Sequence, residues 1–299
     1  MGTPEYARII LSGLIAREGL NIRVVTKADT RQGRRLRMTP SPVAQEAERA
    51  GLVVDKPQNL MTLKEAWQRW EPHLIITAAY GKILRPWVLQ LPHHGAFNLH
   101  ASLLPRWRGP NPIAWTIRAG DQETGVTLMK MDEGVDTGDI VAARTCPVLA
   151  TTTTGELTAL LAREARDLVL EYLDQLVSDN VSFVAQDHRL ATYAGKFDPG
   201  ENHIQWNQPA KTIDCLIRSM SPEPGAYTIC QGIRVKLLAS AYDKGAQPLG
   251  MAQLVGNTWH IGTRDGVLVV NRIQPAGRKA MSPGDFQRGL RVVDRVVCE

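Results

Sequence analysis

Near residue 200 the hydrophobic period of this sequence changes, and the change divides the chain between two kinds of architecture. Before it, helical and strand patterns alternate. Residues 6–17 carry apolar side chains at helical spacing and stop at Gly19, and 21–26 then reads as a short strand. Ser41-Pro42 predicts an N-cap with proline at the first helical position, opening a helix that runs to Ala50 and ends at Gly51. Further strands are expected at 52–54, 74–79, 96–99, 125–131 and 140–148, with helices at 63–70, 112–119 and 156–176. Alternating β and α elements with apolar strand runs imply an α/β fold, a Rossmann-like, mainly parallel sheet with helices on both faces. The pattern breaks over 178–200, where Asp198-Pro199-Gly200 signals a turn. After one helix at 209–220, short strand-like runs at 225–230, 233–239, 255–261 and 267–273 predict a small β-barrel. The expected division is a first domain over 1–185, a linker over 186–199 and a second domain over 200–299.

Composition narrows the class. The 299 residues are 43% hydrophobic and 22% charged, which is globular and allows two domains. No apolar run approaches the roughly 18 residues that span a bilayer, and the N-terminus lacks the pattern of a secretory signal, so a cytoplasmic protein without membrane contact is expected. Cys146, Cys215, Cys230 and Cys298 form no C-x-x-C pair, which suggests reduced thiols and gives no reason to invoke a metal. The net charge of +5 is uneven: residues 200–299 hold 12 Lys+Arg against 8 Asp+Glu, or +4, leaving +1 for residues 1–199.

Two segments carry candidate chemistry. In Phe97-Asn98-Leu99-His100, a strand places Asn98 and His100 on one face at its C-terminal end, where ligands bind in open parallel sheets. A satisfied structural histidine beside a turn asparagine fits the position equally. In 132–139, glycines flank Val135-Asp136-Thr137 and four carboxylates fall within eight residues, which permits a ligand-approaching loop or a solvated turn.

Together these segments resemble the 10-formyltetrahydrofolate-dependent formyltransferases, with Asn98 and His100 in the N-x-H motif, Ser102, Leu103, Leu104 and Pro105 in the S-L-L-P motif, and Asp136 in the acidic loop. The resemblance covers nearly the entire chain. Residues 2–7, Thr39-Pro40-Ser41-Pro42-Val43, Ala79-Tyr80-Gly81, Pro105-Arg106-Trp107-Arg108-Gly109, Thr192-Tyr193-Ala194 and 274–281 are similar to the methionyl-tRNA formyltransferase family. It implies a folate formyl donor, 10-formyltetrahydrofolate, bound by Ser102 to Pro105 with Tyr80, Gly81 and Ile83, and methionyl initiator tRNA as acceptor. Asn98 is then the donor to the oxyanion, His100 the proton acceptor, and Asp136 the group that fixes its tautomer, with no covalent intermediate on Ser102. Leu104-Pro105 is a candidate cis peptide.

For the tRNA, the resemblance points to the basic stretch 27–37, with Arg31, Arg34, Arg35 and Arg37, and to an OB-like C-terminal domain bearing Arg234, Lys236, Arg278 and Lys279, with Arg272 a further candidate. Trp206 and Tyr227 are expected in the core. Rival readings are an amino-sugar nucleotide N-formyltransferase, a formyltetrahydrofolate hydrolase and a catalytically idle tRNA-binding protein. A monomer is expected. Two departures stand out: Ser221 and Glu223 in Ser221-Pro222-Glu223-Pro224-Gly225-Ala226, and the start, where only Met1 precedes Gly2 although the family has a strand there. The chain is thus expected to lack a central strand of about six residues, as if begun downstream of the native start, with a destabilised or rearranged sheet.

Overall fold

The computed structural model describes residues 1–32, 37–290 and 295–299. The chain forms two compact units, one of Met1–Pro112, Glu123–Cys146 and Thr158–Gly195, the other of Ile113–Gln122, Pro147–Leu157 and Lys196–Glu299. In chain order the elements up to residue 177 are α1 (Glu5–Ala16), β1 (Arg23–Val25), β2 (Thr30–Gln32), β3 (Arg37–Thr39), α2 (Pro42–Arg49), β4 (Val53–Asp55), α3 (Lys64–Trp70), β5 (Ile75–Thr77), α4 (Pro86–Leu89), β6 (Ala96–His100), α5 (Pro112–Ala119), β7 (Glu123–Lys130), β8 (Ile140–Pro147) and α6 (Thr154–Val177).

Local chemistry accounts for the helix positions. α1 buries Tyr6, Ala7, Ile10 and Leu11, one stripe at helical spacing. The Ser41 hydroxyl accepts from Ala44 N at 3.1 Å and so caps α2, which buries Val43, Ala44 and Ala47. Ser41 is held in turn by the Thr26 hydroxyl at 2.7 Å.

The sheet of this unit is in two pieces. β1 and β4 pair in parallel, and β5-β6-β7-β8 form a second sheet in which β5–β6 is parallel and β6–β7 antiparallel. Met1 and Gly2 lie between the pieces: Gly2 N donates to Val25 O at 3.0 Å, and Ala78 N donates to Met1 O at 3.0 Å. A cavity of about 560 Å³ has Met1, Gly2, Leu11, Val24, Ile75 and Ile76 among its walls. The basic stretch read as a loop contains a two-stranded hairpin, with Arg31 opposite Met38. Arg31, Arg37 and Met38 are all exposed, so no alternation marked these strands. Arg34 and Arg35 lie outside the described residues.

The stretch expected as a linker, 186–199, is divided: residues to Gly195 belong to the first unit and those from Lys196 to the second. Its polar composition hid the backbone bonds that hold it, among them those of Thr192 and Ala194 with Arg108.

The second unit contains α7 (Ala210–Met220), β9 (Ala226–Cys230), β10 (Ile233–Asp243), β11 (Met251–Val255), β12 (Thr258–Gly262), β13 (Val267–Pro275), α8 (Pro283–Leu290) and β14 (Arg295–Val297). The strands form one curled antiparallel sheet in the order β14-β11-β12-β13-β10-β9, in agreement with an OB-like domain. Its core includes Trp259, Phe286, Ile217 and Val235. Trp259 meets Phe286 edge-on at 5.8 Å and donates its indole N–H to Gln287 Oε1 at 2.9 Å, so the buried ring keeps a polar partner. α7 carries a buried ion pair, Arg218 Nε to Asp214 Oδ2 at 2.7 Å, which Ser240 Oγ completes by donating to Asp214 Oδ1 at 2.7 Å. Among the described residues no helix is long and apolar enough to cross a membrane.

Candidate active site

β6 delivers two polar side chains to the end of the sheet, and its neighbours orient them. Parallel pairing sets Thr77 of β5 beside Asn98, and the Thr77 hydroxyl donates to Asn98 Oδ1 at 2.7 Å. The carboxylate orients the amide: Asn98 Nδ2 faces Asp136 Oδ1 at 3.5 Å, where only a donor suits, and the hydroxyl meets the oxygen. His100 is 5% exposed, with Nε2 at 2.8 Å from Trp107 O and Nδ1 at 3.5 Å from Asp136 Oδ1. Both facing oxygens only accept, and the contact to Trp107 O is the shorter, which favours the hydrogen of the neutral ring on Nε2. Asp136 faces the other ring nitrogen, Nδ1, the pairing expected from the sequence.

Asp136 reaches this point from a strained loop. Its φ is 54°, left-handed backbone that a non-glycine residue adopts seldom. Its Oδ2 accepts from Gly109 N at 2.8 Å, and Gly109 sits at φ 111°, where a side chain would be strained and its Cβ would press on Ala194 O at 3.0 Å. Gly138 admits no side chain, since a Cβ there would lie 1.9 Å from Lys130 O. Of the loop's other carboxylates, Asp132 accepts from Gly134 N and the Thr137 hydroxyl, a local turn, leaving Asp136 as the one set against Asn98 and His100.

Asn98, His100 and Asp136 are thus brought together. The S-L-L-P segment follows β6 directly. Ser102 is fully buried and donates to Arg106 O at 2.6 Å, consistent with a loop-holding rather than nucleophilic hydroxyl. Thr127 of β7 clamps the segment by accepting from Leu104 N at 3.1 Å and donating to Ser102 O at 2.7 Å. Leu103 is half-buried, and the Leu104–Pro105 bond is cis. Tyr80 and Gly81 follow the end of β5. The Tyr80 ring is buried and its hydroxyl has no partner among the described residues, with burial holding that phenol above its usual range. Ile83 is 80% exposed. The large cavity beside Met1 is lined by none of the three convergent residues.

Of the basic candidates, Arg31 and Arg37 are exposed on the hairpin strands, and Arg278 and Lys279 are exposed in the second unit. Arg234 lies over the Tyr227 ring at 3.7 Å, and His203 stacks on that ring at 4.9 Å, so Tyr227 is sandwiched at a half-buried position. Lys236 pairs with Glu223 at 2.7 Å. Trp206 is in the core, as expected. Residue-level reading of the sequence missed Thr77, the Trp107 carbonyl and Gln186. A Thr one strand away in parallel register was a findable signal for the first, but a backbone carbonyl leaves none.

The α/β unit thus ends a strand in an amide donor and a histidine–carboxylate pair, while the adjoining Ser102 hydroxyl is engaged by Arg106 O. Residues 2–173 match the formyl transferase family and residues 196–291 the formyl transferase C-terminal domain, and the chain belongs to this family. It is 37% identical to the methionyl-tRNA formyltransferase of Syntrophomonas wolfei over 296 residues, 97% of this chain and 94% of the relative. It is 37% identical to that of Halorhodospira halophila over 296 residues, 98% of this chain and 96% of the relative. Among solved structures, an N-formyltransferase from Helicobacter canadensis, in complex with folinic acid and dTDP-3-aminofucose, has a TM-score of 0.69 at 19% identity over 90% of this chain and 96% of that one. HypX from Aquifex aeolicus, in complex with tetrahydrofolic acid, has a TM-score of 0.64 at 21% identity over 90% of this chain, which spans 47% of HypX. At such identities these two likenesses establish the fold alone.

Proposed function

We propose that the chain transfers the formyl group of 10-formyltetrahydrofolate to the α-amino group of methionyl initiator tRNA. The observation that carries the chemistry is the convergence of Asn98 Nδ2 and His100 Nδ1 on Asp136 Oδ1, each at 3.5 Å. The acceptor follows from likeness to methionyl-tRNA formyltransferases over both domains, at 37% identity and 97% of the chain.

The residues fit the formyl donor: an oriented amide N–H for the formyl oxygen and a paired base for the proton. When bound, the folate supplies an activated formyl carbon and a nitrogen leaving group. The attacking amine must be neutral, and a free α-amino group titrates at about 7.7 to 8.0. As the C–N bond forms, Asn98 Nδ2 donates to the oxygen that gains charge, a kind of contact worth about 2.7 to 4 kcal/mol. The proton leaving the amine ends on His100 Nδ1, where Asp136 faces the imidazolium; as the oxyanion collapses and the formyl carbon's bond to the donor nitrogen breaks, His100 would return that proton to the departing nitrogen. Trp107 O holds Nε2–H throughout, so the ring does not rotate between its two states. Tyr80, Gly81, Ile83 and the Ser102 to Pro105 segment, at the ends of β5 and β6, form the folate slot in this proposal.

For the tRNA, Arg31, Arg34, Arg35 and Arg37 of the basic stretch contact the acceptor end, while Arg234, Lys236, Arg278 and Lys279 contact backbone phosphates. The enzyme acts as a cytoplasmic monomer. Formylation assays with charged initiator tRNA, uncharged tRNA and an amino-sugar nucleotide test the proposal. Product is expected with the charged tRNA alone, and preferential formylation of the sugar amine refutes the acceptor assignment. Binding of tRNA should weaken steeply between 50 and 200 mM salt, which are assay conditions spanning the strongly screened range.

A further inference from the structure

The segment from Val184 to Ala194 has no part in the chemistry above, yet it is bonded to both loops that hold the reacting groups. Val184 exchanges backbone hydrogen bonds with Ile140, both at 2.8 Å, next to the Asp136 loop. Thr192 O accepts from Arg108 N at 2.8 Å, and Thr192 Oγ1 accepts from Trp107 N at 2.9 Å. Between these two seams stands Gln186, 6% exposed. Its Nε2 donates to Asp136 O at 3.0 Å and to Gly138 O at 2.7 Å. Its Oε1 accepts from Arg108 Nε at 3.1 Å and Arg108 Nη2 at 2.6 Å.

The orientation of this amide is forced. Arginine only donates and the two carbonyls only accept, so the oxygen must face Arg108 and the nitrogen must face the loop. Every amide valence is filled. Arg108 is 2% exposed, and among the described residues its side chain meets Gln186 Oε1 and His188 Nδ1. Two bonds from a buried cation polarise the amide and strengthen the donors on its far side. Those donors grip the carbonyls on either side of Thr137, in the loop where Asp136 holds its left-handed backbone.

We propose that Gln186 is a positioning residue for Asp136, anchored by Arg108, and that it sets the carboxylate against Asn98 and His100. This rests on the proposed role of Asp136. The informative variant is Gln186→Glu, which keeps an acceptor for Arg108 as an ion pair but replaces the two donors with a carboxylate facing carbonyls. It is expected to melt within a few degrees of the parent while kcat for formyl transfer falls about 10²-fold, the scale of a misplacement of about 1 Å. KM for both substrates stays within about threefold, because the lost term is alignment rather than binding. In an Asp136→Asn background the same change costs less than about threefold, since Gln186 acts through that carboxylate.

The double variant Arg108→Met/Gln186→Met removes the cation and the amide together, so no buried charge is left unpaired, and it should show the same kcat loss. Parent-like kcat in folded Gln186→Glu or in the double variant overturns the proposal, as does an undiminished loss in the Asp136→Asn background. Parent-like activity of Asp136→Asn itself overturns the underlying reading of the site instead.

Discussion

Asp136→Asn isolates the charge of the proposed mechanism with little structural disturbance. Asparagine tolerates the left-handed region better than other side chains apart from glycine, so the φ of 54° at this position is not a barrier. Its amide oxygen can still accept from Gly109 N, which lies 2.8 Å from Oδ2 in the parent. What disappears is the negative charge 3.5 Å from His100 Nδ1. At an effective dielectric of about 20, Coulomb's law gives about 4 to 5 kcal/mol at that separation. The Asp136 side chain is 15% exposed, so solvent screening trims the figure, and about 3 kcal/mol is a reasonable expectation. That corresponds to about 10²-fold in kcat. Single-turnover transfer from 10-formyltetrahydrofolate to charged initiator tRNA, read by acid-gel separation of formylated product, measures it without interference from product release. The melting temperature should stay within about 2 °C of the parent. A folded Asp136→Asn enzyme with kcat within threefold of the parent would show that no charge stabilises the protonated histidine, and the mechanism would fail.

Asn98→Ala should lower kcat by about 10²- to 10³-fold with KM for folate little changed, as expected for a donor used mainly in the transition state; an equal effect on KM alone would place Asn98 in ground-state binding. Asp214→Ala leaves Arg218 buried without its carboxylate and should destabilise the protein by about 3 to 5 kcal/mol, whereas a change below 1 kcal/mol in denaturant titration would contradict the account of that pair. At the start of α6, Glu156 accepts from Thr153 N at 2.9 Å and from the Thr153 hydroxyl at 2.8 Å, which lowers its carboxyl below the usual range. A carboxyl lowered in the folded state stabilises fully above its unfolded pKa and loses that contribution as pH falls through the folded one. The Tm gap between parent and Glu156→Gln should therefore be constant from neutral pH down to about 5 and narrow below the carboxylate range; a gap that widens there reverses the sign and refutes the capping box.

Legibility followed how local each cause was. Ser41-Pro42 announced α2 because an N-cap acts within three residues, and Phe97 to His100 read as a strand because its neighbours are apolar. β2 and β3 gave no sign, since Arg37 and Met38 are both exposed and β3 has no buried face to impose alternation. α8 was hidden by Gly284 and Gly289, poor helix formers that the buried Phe286 overrides. At the site, Asn98, His100 and Asp136 were found through motif resemblance, because their own neighbours fit a structural histidine and a solvated turn equally. Gln186 was out of reach: its partners lie 48 and 50 positions away along the chain, and a polar residue in a polar stretch looks like spacer.

The position of that glutamine bears on how this enzyme can be taken apart. The two family matches end at residue 173 and resume at residue 196, so the interval between them falls outside both. A catalytic fragment cut at the first boundary would retain all three proposed reacting groups and lose Gln186, Thr192 and Ala194, which brace the loops that carry Asp136 and Trp107. For gene fusion or domain exchange the inherited module thus extends through Gly195, and what passes for a tether is part of the machine it appears to tether.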